Sequence, residues 1–241
     1  PVQKRGTGGL TPLRSPNSFL AARIWHSANH RIRTLENVCC HPLKNIHWTS
    51  SLMTPISEVF ETAVRESRMT FMPFVTAGDP DLSTTAAVLC SLRDAQVDLI
   101  ELGFPYSDPI ADGPVIQASY TRALNSGITV DGIFKMMESL RGESLPPVLA
   151  MVSFAIIFRH GTALFVEHAA KAGFRGLIIP DLPADEAQDV VKAAQQYQLD
   201  VVQLIAPTTT AERTKQILAA STGFLYCISV AGTTGVRQEL P

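Results

Sequence analysis

The sequence has little of three features that would each place it in a particular class of protein. Four cysteines in 241 residues, two of them adjacent, argue against a disulfide framework and fit a reducing compartment. The longest apolar run, residues 148–158, is too short to span a bilayer. Charged residues make up 17% and hydrophobic residues 46%, so we expect one soluble globular domain with a sizeable core.

Acidic residues are nearly absent from residues 1–52, which carry seven Lys or Arg and one Glu, a net charge of +6. Because the whole chain carries −2, the remaining residues carry −8. An acidic main body offers no electrostatic footprint for nucleic acid. The sequence therefore predicts neither a nucleic-acid partner nor a membrane partner.

Residues 1–52 also lack a sustained hydrophobic period and do not begin with Met. We interpret them as a disordered leader. It is either translated upstream sequence with no evolved role, which we prefer, or a plastid-type transit peptide, which is Arg- and Ser-rich and acid-poor. The leader contains several metal-ligating side chains: His26, His30, Cys39, Cys40 and His41. Adjacent cysteines lack the usual ligand spacing, so we predict no metal site.

The pattern of a folded domain begins at Met53, with Thr54 as N-cap and Pro55 in the first turn of a helix. From Thr70 onward, short apolar strands alternate with amphipathic helices, which indicates a parallel α/β sheet covered by helices. The predicted strands are 70–75, 99–102, 148–152, 176–179, 201–205 and 224–229. A (β/α)8 TIM barrel needs eight strands. We therefore expect a barrel over residues 53–241 that is truncated after its sixth strand.

Residues 98–117, DLIELGFPYSDPIADGPVIQ, are the most informative segment. An apolar strand ends at Glu101 and opens into a loop that holds Asp108 and Asp112. Parallel α/β enzymes place catalytic residues at such strand ends. A carboxylate pair in apolar surroundings is a candidate acid/base couple, since burial raises one pKa while polar contacts keep the other low. Any single acid here could instead simply stabilise a turn. Five Gly and Pro residues in one short segment, however, restrict the loop to one shape more strictly than a simple turn needs, which favours a functional loop.

This segment resembles the signature of the tryptophan synthase alpha family. The resemblance continues, in the family's order, through PFVTAGDPD (73–81), GLIIPDLP (176–183), IAPTTT (205–210) and GFLYCISVAGTTG (223–235). It implies retro-aldol cleavage of indole-3-glycerol phosphate to indole and glyceraldehyde 3-phosphate in tryptophan biosynthesis. By resemblance, Glu101 shuttles the proton and Asp112 accepts a hydrogen bond from the indole N–H.

The resemblance also implies substrate contacts in other segments. Tyr226 matches a tyrosine that approaches the catalytic Asp and the substrate, although a strand Tyr also suits a core. Phe74 matches an aromatic residue that packs on indole. Asp181 either contacts the substrate or caps the following helix. Thr234 and Gly235 resemble a mobile loop over the substrate, in which the glycine N–H helps to hold phosphate.

Two further features concern the partner and the pocket. In the family, the loop with Pro105 and Asp108 contacts the beta subunit, although Asp108 also fits a turn-stabilising residue beside Pro109. The sequence departs from the family at Val152 and Phe154, where Tyr and Asn are usual. We therefore expect a more apolar indole pocket.

The resemblance implies no metal and no cofactor in this chain, and a PLP-dependent beta subunit as partner in an α2β2-type tetramer. It also implies a cytoplasmic location, or the plastid stroma if residues 1–52 are a transit peptide. Two alternatives stay open. One is a stand-alone lyase that releases free indole, and the other is an inactive fragment that only binds a beta subunit.

Overall fold

The computed structural model describes residues 54–109 and 112–228, together with the backbone of residues 23–25. The helices are α1 Pro55–Arg65, α2 Leu82–Asp94, α3 Pro114–Asn125, α4 Val130–Ser139, α5 Phe154–His160, α6 Thr162–Ala172, α7 Gln188–Gln196 and α8 Ala211–Ala219. The strands are β1 Arg23–Trp25, β2 Phe74–Thr76, β3 Ile100–Gly103, β4 Val148–Met151, β5 Gly176–Ile178, β6 Asp200–Ile205 and β7 Leu225–Cys227.

Strands β2 to β7 form a parallel sheet in which each strand pairs with its neighbour in sequence. Helices connect successive strands, which confirms the predicted α/β class and the six predicted strands. The strands are shorter than predicted at several ends. For example, β2 begins at Phe74 rather than Thr70, because its ladder with β3 begins where Phe74 lies opposite Glu101.

Apart from a small cluster that joins Ile205 and Leu225 to Ile217 of α8, the strand side chains alternate between two separate apolar clusters, as the two-residue period of a strand requires. One cluster, which includes Leu102 and Leu177, packs under the helices. The other forms the barrel interior and consists of Ile56, Phe60, Leu99, Leu149, Ile178, Val202, Phe224 and Tyr226. We call this second set the interior cluster.

Helix α1 closes the interior at one end of the strands. Thr54 is its N-cap and Pro55 lies in its first turn, as predicted, and Thr54 also forms a capping box with Ser57. Thr54 Oγ1 also donates to Asp200 Oδ2 at 2.6 Å, which fastens α1 to the first residue of β6. The ring centroids of Phe60 and Phe224 are 5.1 Å apart. Helix α1 therefore covers the amino-terminal end of the strands and leaves the carboxyl-terminal end to the loops.

The leader contributes one described element. Strand β1 pairs antiparallel with β7, with Arg23 opposite Cys227. The sequence predicted no ordered element in residues 1–52. Residues 23–25 depart from that prediction because they pair with β7, which would otherwise present unpaired N–H and C=O groups along an edge of the sheet. The rest of residues 1–52 lies outside the described residues, so a leader that packs little against the barrel stays a prediction. Within the described ranges, no helix has the length and apolar character needed to cross a membrane.

Candidate active site

Glu101 lies on β3 and directs its carboxyl group into the barrel interior. It follows Leu99 of the interior cluster by two residues, so strand alternation places both side chains on the same face. Glu101 is 3% exposed, and its Oε1 has no hydrogen-bond partner among the described residues. Burial raises the pKa of Glu101 to about 8. The group is therefore mostly protonated at neutral pH and can act as an acid.

Tyr226 approaches Glu101 from β7. Its ring is buried in the interior cluster, with its centroid 6.4 Å from that of Phe224. Burial, and then the charge of ionised Glu101, raises the pKa of the Tyr226 phenol. The core interpretation of Tyr226 is therefore confirmed, and its approach to Asp112 and the substrate stays a prediction.

Phe74 lies on β2 directly opposite Glu101 in the parallel ladder. Its ring lies over the backbone of Gly103, because a Cβ on Gly103 would be 2.4 Å from Phe74 Cζ. The absence of a side chain at Gly103 is thus what lets the aromatic ring lie against the end of β3. Phe74 is in a position to form an aromatic wall, and its contact with substrate stays a prediction.

Asp112 lies in the loop after β3, just before Gly113, the N-cap of α3. Its backbone N–H donates to Pro109 O, and Gln117 Nε2 donates to Asp112 O at 2.7 Å, so the turn is held at both sides. Partial burial raises the pKa of the Asp112 carboxyl, while a hydrogen bond from Tyr106 lowers it. The expectation of polar surroundings that keep this pKa low is wrong, because the loss of water outweighs the single hydrogen bond.

Sequence reasoning missed two tyrosines that surround Asp112. The rings of Tyr106 and Tyr120 have centroids 5.6 Å apart. Burial raises the pKa of Tyr106 to about 12, and the charges of Asp112, Asp181 and Asp108 add to the shift. Burial and the charge of Asp112 also raise the pKa of Tyr120. Tyr106 could have been found within the loop motif, whereas Tyr120 comes from α3 and only the fold brings it there.

Asp181 caps a helix, but not the helix that was expected. Its carboxylate accepts hydrogen bonds from Ser153 Oγ at 2.6 Å and from the Phe154 N–H at 2.8 Å, at the start of α5. The prediction named the helix that follows Asp181 in sequence. The capped helix instead follows β4, because β4 and β5 are neighbours whose carboxyl ends meet. Asp181 is exposed, and its charge helps to raise the pKa of Tyr106. Its contact with substrate stays a prediction.

The expectation that Val152 lines the indole pocket is wrong, whereas that for Phe154 stays a prediction. Val152 is 1% exposed and belongs to the cluster under the helices, and Phe154 packs against that same cluster. The ring centroids of Phe154 and Phe158 are 6.1 Å apart on α5. Val152 points to the helical side because the strand alternation that turns Met151 inward turns Val152 outward, whereas Phe154 is the first residue of α5.

The remaining predicted residues divide into described and undescribed ones. Asp108 is exposed at the loop tip, whereas Pro105 is buried, so only Asp108 offers surface to a partner in the isolated chain. Their contact with a beta subunit stays a prediction. Thr234 and Gly235 lie outside the described residues, as does the predicted phosphate contact.

Comparison with known proteins identifies the family to which the chain belongs. The family model described as tryptophan synthase alpha chain matches residues 60–241. The tryptophan synthase alpha chain of Rhodopirellula baltica is 46% identical over 193 residues, which cover 78% of this chain and 69% of the relative.

Solved structures agree with the sequence relatives. Tryptophan synthase subunit alpha from Legionella pneumophila superposes with a TM-score of 0.70 at 35% identity, covering 73% of this chain and 68% of that one. A tryptophan synthase complex from Pyrococcus furiosus gives a TM-score of 0.63 at 38% identity, covering 66% and 65%. The chain belongs to the tryptophan synthase alpha chain family, the lyases that cleave indole-3-glycerol phosphate in tryptophan biosynthesis.

Proposed function

We propose that Glu101 and Asp112 together carry the retro-aldol cleavage of indole-3-glycerol phosphate in this chain. The observation that supports this most is the state of Glu101. It is a buried carboxyl group whose Oε1 has no hydrogen-bond partner among the described residues and whose pKa burial raises to about 8, and it lies on the strand before the Asp112 loop. A fold gains no stability from such a group, because burial without a partner is costly. A reacting molecule would supply the missing partner.

The chemistry needs an acid that can also act as a base. Carbon is a poor leaving group, so the indole C3 must accept a proton before the bond to the glycerol carbon breaks. Protonated Glu101 gives that proton, and its carboxylate then removes the proton of the glycerol hydroxyl. The C–C electron pair returns to the indole ring, and the oxygen forms the aldehyde of glyceraldehyde 3-phosphate. Glu101 ends the cycle protonated again, as general acid–base catalysis requires.

We assign to Asp112 the stabilisation of the positive charge that develops on the indole ring. Protonation of C3 leaves positive charge on the indole nitrogen, and a carboxylate that accepts the ring N–H hydrogen bond stabilises it. The hydrogen bond from Tyr106 favours the ionised form of Asp112. The stiff turn at Pro109 and Gln117 keeps the carboxylate in place.

Paired substitutions test these roles. Glu101→Gln and Asp112→Asn keep the shapes of the side chains but remove the proton shuttle or the charge, so each should lower indole release by roughly 100- to 10,000-fold. Asp108→Asn is the matched control, since it removes an exposed carboxylate from the same loop and should leave the turnover of the isolated chain near that of the unmutated protein. Near-normal turnover of Glu101→Gln in a single-turnover assay would refute the proton shuttle.

The partner of this family is in general a beta subunit, and we propose that the chain joins it in an α2β2-type tetramer in which PLP is held by the beta subunit alone. The exposed loop tip at Asp108 supports the choice of docking face. Co-expression with a beta subunit and measurement of the mass in solution test this. The tetramer should carry PLP absorbance, and Asp108→Arg should weaken assembly. A complex of unchanged mass and affinity with Asp108→Arg would contradict the docking face.

We further propose a cytoplasmic location, which fits the few cysteines and their lack of framework spacing. The plastid stroma is the second candidate, because residues 1–52 are rich in basic residues and poor in acids. A fluorescent protein fused after residue 52 separates them. Diffuse fluorescence in the cytosol of a plant cell supports the first, and import into plastids supports the second.

A further inference from the structure

Three side chains that commonly bind metal ions meet in the outer helical layer, away from the residues assigned to the lyase reaction. Asp131 lies in the first turn of α4, His160 is the last residue of α5, and His168 lies in α6. Their ligand atoms all lie within 4.8 Å of one another. The closest pair is His160 Nε2 and His168 Nδ1, which share a hydrogen bond of 3.2 Å that a metal ion would replace.

Packing holds the two imidazoles in this arrangement. The ring of Phe134, on α4, contacts both at near-perpendicular angles, with centroid distances of 6.0 Å to His160 and 6.0 Å to His168. Phe165 contacts His160 at 5.8 Å. Gly161, with a φ of +90°, turns the chain between α5 and α6 so that the two histidines face each other. The nitrogen pair is therefore preorganised by buried aromatic rings.

The geometry of the pair suits a tetrahedral metal ion. With metal–nitrogen bonds of about 2.0–2.1 Å, two ligands in tetrahedral positions lie about 3.3–3.4 Å apart, close to the observed nitrogen separation. Imidazole is a preferred ligand of zinc, copper and nickel, whereas calcium and magnesium prefer sites built of oxygen. We propose that Asp131, His160 and His168 bind a divalent transition-metal ion of the zinc type, with water completing its coordination.

The charges around the cluster favour a cation. Asp131 supplies a negative charge, and because it is exposed it can rotate to shorten its distance to the two nitrogens. Glu167 precedes His168 and is negative as well. The nearby cation Lys171 is paired with Glu167 at 2.6 Å, which reduces its repulsion of a metal ion. The bound ion would join α4, α5 and α6.

The test is a Zn²⁺ titration of the full chain against a chromophoric chelator, with far-UV circular dichroism to check folding. Removing both imidazoles with His160→Gln and His168→Gln should abolish one binding site. Loss of a mere supporting residue already costs roughly 10- to 100-fold in affinity, so loss of two ligands should cost more. Asp131→Asn, an exposed change that spares the packed rings, should weaken the same site and keep the fold.

The leader needs its own control, because it also holds histidines and an adjacent pair of cysteines. A variant with the leader ligands replaced by Gln and Ser should keep the Asp131 site and its effect on stability, namely a melting temperature that rises with Zn²⁺ concentration. Unchanged zinc stoichiometry and affinity in the double histidine variant would overturn the proposal. So would a zinc-dependent rise in melting temperature that survives both the double variant and Asp131→Asn.

Discussion

At the scale of single residues, the carboxyl group that we assign to catalysis, Glu101, is also one whose burial lowers the stability of the fold. Glu101 stands in a strand whose neighbours on the same face are apolar, and its Oε1 lacks a hydrogen-bond partner within the described part of the chain. Tyr226 lies near it, and no cation of the described residues shifts its pKa against the effect of burial. The raised pKa is the direct consequence, and it has a measurable effect on folding.

The pKa of Glu101 predicts how stability changes with pH. An unfolded Glu titrates near 4.5 and folded Glu101 near 8, so the unfolded state releases its proton first. The contribution of Glu101 is therefore fully present below pH 4.5 and is lost as the pH rises toward 8, by up to roughly 4–5 kcal/mol. Glu101→Gln removes this titration. Between pH 4.5 and pH 8, the free energy of unfolding should therefore fall less in the Glu101→Gln protein than in the unmutated protein.

Urea unfolding of both proteins between pH 4.5 and 8.5 measures the effect. Asp200 also has a pKa raised by burial, but it titrates in both proteins, so their difference isolates Glu101. Parallel curves across this range would show that Glu101 is not desolvated in the folded protein.

At the scale of elements, α5 is the helix that connects the site to the outer layer. Its N-terminus is held by Ser153 and by Asp181 from the turn after β5, while Val152 just before it is buried under the helices. A change at the start of α5 should therefore alter folding before it alters substrate affinity.

Val152→Tyr tests this placement. The larger ring has no room in a packed cluster, and overpacking of this kind costs about 1–3 kcal/mol. Ser153→Ala, which removes an N-cap and one donor to Asp181, should cost about 0.5–2 kcal/mol. Phe158→Tyr is a suitable control, because Phe158 is 71% exposed. A Val152→Tyr protein of normal unfolding free energy but altered affinity for indole-3-glycerol phosphate would return this residue to the pocket.

At the scale of the whole molecule, the leader and the acidic domain differ in charge and in pattern along the sequence, and among the described residues a three-residue strand of the leader pairs with the domain. Strand β1 lies on the edge of β7, the strand that carries Tyr226. Three residue pairs in an antiparallel ladder are a small fraction of the sheet.

Starting the protein at Met53 should therefore leave its melting temperature unchanged, because the leader offers no periodic apolar face and ordering it costs conformational entropy. Differential scanning calorimetry of the two proteins measures this. A fall of several degrees on deletion would show that β1 belongs to the fold.

The sequence by itself determined the class of fold, the family and the position of Glu101, because strand periodicity, loop residues and ordered motifs are all local patterns. Tertiary structure alone decided which face of a strand each pocket candidate occupies, and so moved Val152 from the pocket to the core. Only the tertiary structure places Asp181 at the N-terminus of α5, Tyr106 and Tyr120 near Asp112, and Asp131 near the two histidines of the outer layer. These relations depend on which strand ends and helices become neighbours, and the burial that shifts the pKa of Asp112 upward arises only after they have packed together.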